Sequence, residues 1–170
     1  MSITKIQSES LNLSDTYDFT GTVTGAGGVN TPAFFVRRTS NITISQNNVS
    51  TKIIFDTEDY DVGSAYNTST GKFQPQVAGK YFILIQVRFA DTSSSTDIAN
   101  ANIYKNGSSL IGNGVGFDAD YAPYIQTSGI VEMNGSSDYI EGYSYQRLSQ
   151  INITGNSGNA TFMTGYKIIE

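Results

Sequence analysis

The run Tyr81-Phe82-Ile83-Leu84-Ile85-Gln86-Val87-Arg88-Phe89 is apolar at every odd-numbered position. Successive side chains of a β-strand point to opposite faces. Tyr81, Ile83, Ile85, Val87 and Phe89 therefore share one face of a strand, a spacing that no helical period of 3.6 reproduces. The opposite face begins apolar, with Phe82 and Leu84, and ends polar, with Gln86 and Arg88. A sandwich strand ordinarily buries one face and wets the other. The second face here calls for partial cover, by another subunit or by a loop of the same chain.

Further short apolar runs follow the same logic: Ala33–Arg37, Lys52–Phe55, Lys80–Phe89, Ala101–Lys105, Tyr121–Met133, Ser137–Tyr145 and Ala160–Ile169. Between them lie turn signals at Asn106-Gly107, Asn134-Gly135, Gly155-Asn156 and Gly158-Asn159. Evenly spaced strands with such turns predict an all-β, antiparallel sandwich or jelly roll. At 170 residues the chain is long enough for one core, since a domain near this size buries roughly 70% of its unfolded surface.

Composition narrows the function classes. With no Cys and no His, neither disulfides nor thiolate metal sites are expected, and Ser-His-Asp and Cys-His catalysis have no base. Net charge is −5, with Lys and Arg scattered, so the basic footprint of a nucleic-acid binder is missing. No stretch approaches the roughly 20 apolar residues of a membrane-spanning helix. The opening Met1–Gln7 has no apolar run of signal-peptide length. Charged residues make up only 15%, against about 25% ordinarily. Gly, Ser, Thr and Asn fill the deficit, a surface texture shared with extracellular and virion proteins.

Residues 1–31 read as a separate N-terminal β arm. Two short alternating runs, Leu11-Asn12-Leu13 and Phe19–Val23, lead to a flexible joint at Gly25–Gly28. Their apolar content is too small for a free-standing sheet. The arm is expected to order only against other chains or a carrier, through Leu11, Leu13, Phe19 and Val23; the alternative is a disordered tail. Residues 32–170 form the head.

A more specific pattern begins at Phe55. The series Phe55, Asp61, Tyr66, Phe73, Gly79-Lys80-Tyr81 resembles, spacing for spacing, the signature of the globular head of complement component C1q. That family belongs to the tumour-necrosis-factor-like jelly rolls. Tyr66–Phe73 and Val77–Tyr81 carry the likeness most strongly. Ile103–Gly107, Ser137–Ile140 and Thr161–Ile168, with Gly165, are similar to later family blocks in the right order. The signature's closing aromatics are replaced by Ile83 and Ile85, a core exchange that leaves the fold intact. No collagen-like stalk precedes the head. An arm leading into such a head resembles the small fibre proteins of tailed bacterial viruses. The resemblance implies a homotrimer. The motif residues themselves read as folding residues: Gly71 and Gly79 at turns, Phe73 and Tyr81 as core aromatics.

Candidate chemistry is sparse. Asp56, Glu58, Asp59 and Asp61 form the densest acidic cluster. Oxygen-rich loops suit Ca²⁺, and some heads of the resembled family hold it. The cluster lacks EF-hand spacing, so a solvated loop competes with a calcium site. Gly- and Ser-rich loops at 91–97 and 113–124 are the expected contact loops. Their candidate contact residues are Asp91, Ser94, Asp97, Asn113, Asp118, Asp120, Tyr121 and Tyr124. Tyr, at 11 residues, suits recognition surfaces. Gly112-Asn113-Gly114 is followed by no helix, so a nucleotide cradle fails.

The chain is therefore expected to be a non-enzymatic, trimeric virion fibre protein needing no cofactor. Its head would bind a host-surface receptor such as a glycan, and its arm another virion or tail protein. A purely structural virion component and a free extracellular lectin-like module are the alternatives.

Overall fold

The computed structural model describes residues 30–44, 48–90, 97–117, 122–147, 151–155 and 160–169, with only the backbone of Asp97, Phe117 and Ile151. Residues 1–29 of the arm, with Leu11, Leu13, Phe19 and Val23, lie outside this range.

All regular structure among the described residues is β. In chain order the strands are β1 Ala33–Arg37, β2 Ile42–Ile44, β3 Thr51–Ile53, β4 Thr57–Val62, β5 Tyr66–Asn67, β6 Lys72–Phe73 and β7 Gly79–Arg88. They continue with β8 Asp97–Lys105, β9 Ser108–Phe117, β10 Tyr124–Met133, β11 Ile140–Gln146, β12 Ile151–Ile153 and β13 Phe162–Lys167. One sheet has the order β10-β7-β13-β1-β4, the other β5-β6-β11-β8-β9 with β3 also on β11. A two-stranded β12-β2 pair completes the set, and every pairing is antiparallel.

The two large sheets exist because their inward rows match. On β7, Tyr81, Ile83, Ile85 and Val87 are fully buried, while Phe82, Leu84, Gln86 and Arg88 stand half-buried on the other side. Phe89, just past the strand, is buried too. From the facing sheet come Ile53, Phe73, Ile103 and Ile140. Gly142 on β11 faces inward, where a Cβ would meet the Ile85 Cδ1 at 2.7 Å and the Phe55 ring at 2.9 Å. The sandwich closes tightly at its centre for want of that carbon.

The C1q-type signature residues meet in one cluster. Phe73 stacks on Phe34 at 4.3 Å and meets Tyr81 edge-on at 5.6 Å, and Phe34 stacks on Tyr66 at 5.7 Å. The Phe55 N–H donates to the Tyr66 hydroxyl oxygen, and the Tyr66 N–H to Asp61 Oδ2. The Tyr81 hydroxyl donates to the Val77 carbonyl at 2.7 Å. Burial raises the phenol pKa values of Tyr66 and Tyr81, as low dielectric disfavours phenolate. Gly71 and Gly79 take φ of +68° and +141°, backbone that β-carbon-bearing residues rarely adopt. Gly165 lies in β13, where a Cβ would stand 2.7 Å from both Ile83 Cδ1 and the Phe82 carbonyl oxygen.

Several sequence expectations need correction. Asp56, Glu58, Asp59 and Asp61 do not line a loop. Asp56 precedes β4 and the others are in it. The register between β1 and β4 slips after Phe35, leaving Asp59 as the unpaired residue of a bulge. Ser108–Phe117 is a full strand, so the expected contact loop at 113–124 loses its first five positions. Asp97 likewise opens β8. The Ser137–Tyr145 run becomes strand only at Ile140. The reason is Asn134, whose Oδ1 accepts the N–H groups of Ser136, Ser137 and Asp138 and holds them in a turn.

Two predictions follow from this packing. Phe73→Ala removes a fully buried ring and should cost about 3–5 kcal/mol of stability, read from denaturant unfolding. The second concerns acid. Burial pushes the Asp56 carboxyl up, but the Thr39 N–H and hydroxyl and the Arg38 guanidinium outweigh it and hold the pKa below its ordinary value. Hydrogen bonds from Asn106 and Lys105 lower that of Asp138. A depressed carboxyl stabilises fully above its unfolded pKa and ceases to as pH falls through the folded value. The urea midpoint should therefore drop between pH 5 and roughly pH 3. The drop should flatten in a D56N/D138N double variant; an equally steep profile would assign acid unfolding to other groups.

A candidate interaction surface

The outward side of the β10-β7-β13-β1-β4 sheet is set by the same alternation that fills the core. Phe34 and Phe35 are adjacent, so one must face out. In register across the sheet run Ile130, Phe82, Tyr166, Ala33 and Val62, and beside them Ser128, Leu84, Thr164, Phe35 and Tyr60. Ile130 is 60% exposed, Val62 50%, Tyr60 49% and Tyr166 42%. Phe35 stacks on Phe162 at 5.0 Å and lies 6.4 Å from Tyr60, and Phe82 lies 5.5 Å from Tyr166. A continuous aromatic and aliphatic band thus crosses five strands without cover from any described residue. Contiguous apolar patches on this scale mark interaction sites.

Polar groups frame the band. The Gln126 amide donates to the Gln86 carbonyl oxygen at 2.6 Å. The Arg88 guanidinium sits 5.5 Å from the centre of the Tyr124 ring. Arg37 Nε donates to Asp59 Oδ1 at 2.8 Å. Of these, the Arg37–Asp59 pair cancels its own charge, while Arg88 keeps its positive charge at the edge of the band.

Of the expected contact residues, Tyr124 is exposed at the start of β10 beside the band. Asn113 points inward from β9, and its Nδ2 donates to the Gln126 carbonyl at 3.0 Å. It bridges the sandwich edge through that nitrogen while the residue itself stays exposed. Asp91, Ser94, Asp118, Asp120 and Tyr121 lie outside the described residues, as does the Asp97 side chain.

The acidic candidates do not converge. Asp56 holds Thr39 and Arg38, Asp59 holds Arg37, and Asp61 Oδ2 holds the Tyr66 amide. Among the described residues no three His, Cys, Asp or Glu side chains group as metal ligands. The calcium expectation therefore loses its geometric basis within that range.

Sequence reasoning found Phe82 and Leu84 but missed their partners Phe35, Tyr60, Val62, Ile130, Phe162 and Tyr166. The signal was available for Phe35, because adjacent aromatics in a strand cannot both be core. For Tyr60 and Val62 the acidic neighbours concealed it.

The C1q domain family matches residues 33–112. No curated protein matches the chain. Among solved structures, the Eiger tumour necrosis factor of S. frugiperda superposes with a TM-score of 0.59 at 11% identity, covering 80% of this chain and 91% of that one. The globular domain of zebrafish complement 1qA gives 0.57 at 13% identity, with 81% and 97% covered. Murine APRIL gives 0.59 at 13%, with 80% and 98% covered. Identities this low speak for the fold alone. Taken with the two-sheet architecture, they show that the described residues have a jelly-roll fold like that of C1q and tumour-necrosis-factor domains.

Proposed function

We propose that the chain is a homotrimeric, non-enzymatic binding head of a virion fibre. Three copies close around an axis lined by the apolar band. Residues 1–31 attach the trimer to another virion or tail protein, and the heads meet a host-surface receptor. The observation that carries the reading is the exposed band of Phe35, Tyr60, Phe82, Ile130 and Tyr166. Its aromatic contacts are already formed within one copy, so association requires little reordering of side chains. Homo-oligomers close by rotation, and the C1q resemblance favours a three-fold axis. Joining three receptor sites multiplies weak single contacts.

Carboxylate chemistry fits poorly with this site. Glycoside hydrolysis needs an acid with a raised pKa facing a second carboxyl. The described carboxyls with a shifted pKa, Asp56 and Asp138, are shifted the other way. The arm and its loading onto a particle rest on the fibre-protein resemblance, and immunolabelling of intact virions tests them.

Light scattering tests the oligomer. The full chain should scatter as a trimer at micromolar concentration. Ile130→Asp places a charge on the band at a position already open to water in the single copy. It should leave the fold intact and shift the species to monomer. A monomeric parent chain, or an unaffected variant, would remove the band from the interface.

A further inference from the structure

Two turns in this chain set the needs of the fold against the chemistry of a side chain. Asn106-Gly107 closes the β8–β9 hairpin, with φ of +53° and +78°. Asn134-Gly135 follows β10, with φ of +71° at the glycine. Glycine suits both backbones, and at Gly135 a Cβ would stand 2.3 Å from the Ala78 nitrogen. Yet a glycine after asparagine leaves the next backbone nitrogen unshielded by any side chain. That nitrogen can attack the asparagine Cγ. The N–Cγ bond forms, the Cγ–Nδ2 bond breaks, the backbone proton passes to hydroxide and ammonia leaves. Water then opens the cyclic imide to aspartate or isoaspartate.

We propose that Asn106 is a latent site of this modification, and that Asp138 is the positioning residue that keeps it closed. Ring closure needs Cγ to swing toward the Gly107 nitrogen. Asn106 Nδ2 instead donates to Asp138 Oδ1 at 2.8 Å, and Asn106 Oδ1 accepts the Tyr139 N–H at 3.0 Å. The Asn106 N–H donates back to the Tyr139 carbonyl at 3.0 Å. Both ends of the amide are thus tied to residues 32 and 33 positions away. The reactive geometry is reached only by local opening, and the population of that open form sets the rate.

Asp138 is itself held from several sides. Its N–H donates to Asn134 Oδ1, and its Oδ2 accepts the Asn134 N–H and the Lys105 ammonium. Lys105 also donates to the Glu132 carbonyl at 2.7 Å. Hydrogen bonds from Asn106 and Lys105 keep the Asp138 carboxyl below its ordinary pKa. It therefore remains an acceptor at the alkaline pH where imide formation is fastest. Every one of these contacts lies within one copy.

The two asparagines depend on this carboxylate unequally. Asn134 Oδ1 accepts the N–H groups of Ser136, Ser137 and Asp138, and its Nδ2 donates to Ser137 Oγ. Those bonds belong to its own turn and use no side-chain atom of Asp138. Both bonds of the Asn106 amide are long-range, and the one from Nδ2 ends on Asp138. Modification of Asn106 replaces that donor with a carboxylate facing Asp138, and adjacent like charges disfavour one another. The isoaspartate form also adds a backbone carbon to a turn built for two residues. The first event therefore opens the clamp that had prevented it.

The test follows both sites in the full-length chain at mildly alkaline pH, by peptide mass and isoaspartate content, with thermal unfolding measured in parallel. The chain denatured in guanidinium gives the unprotected rate. In the folded parent both asparagines should react at least tenfold more slowly than that. Asp138→Ala should speed Asn106 at least tenfold and change Asn134 little, a split that a general loss of stability would not produce. Asp138→Asn keeps an acceptor for Asn106 Nδ2 and should hold the rate near the parent's. A folded parent that reacts at Asn106 as fast as the denatured chain overturns the proposal, as does an Asp138→Ala rate that is unchanged. Equal acceleration of both sites assigns the protection to global stability and overturns it too. An Asp138→Asn rate matching Asp138→Ala assigns the protection to the Lys105 ion pair instead and overturns the amide clamp.

Discussion

The stack of Phe34 between Phe73 and Tyr66, with Tyr81 edge-on to Phe73, fixes the rest of the structure. It joins residues from β1, β5, β6 and β7, and so ties both sheets at one point. Aromatic rings contribute most of their stability through buried area and a smaller part through ring geometry. The phenol of Tyr66 receives the Phe55 amide, while Asp61 receives that of Tyr66. The series that resembles the C1q signature, Phe55, Asp61, Tyr66, Phe73 and Tyr81, therefore forms this knot together with Phe34. It specifies how the two layers are held together and leaves both outer surfaces free to diverge.

Much of this was legible from residue order. The inward row of β7 was readable because five odd positions are apolar in succession. The Asn106-Gly107 hairpin was readable because both residues suit positive φ, which they adopt at 53° and 78°. Other elements were hidden for physical reasons. β4 carries Glu58, Asp59 and Asp61 on an edge strand, where water on one side allows charges that a central strand would reject. β9 alternates with glycine, so the large side chains that ordinarily announce a strand are missing from one face. The apolar band was half visible, since alternation within a strand can be read locally but register across five strands cannot.

The two outer faces differ in chemistry. Hydrocarbon on the β10-β7-β13-β1-β4 side suits another protein copy, for which dry, preformed aromatic contacts favour permanence. The other side carries amides, phenols and flat backbone in place of hydrocarbon. A sandwich fold permits this division because its core depends on inward positions alone. Outward positions change without disturbing it.

Asn113 carries a further consequence. Its amide occupies the Gln126 carbonyl on the outer rim of β10, a position from which a foreign strand would otherwise begin to pair. Exposed sheet rims risk zippering edge to edge into sheets without end. One side chain reaching across the gap makes that rim a poorer template, and so favours assemblies that close on themselves over fibrils that grow.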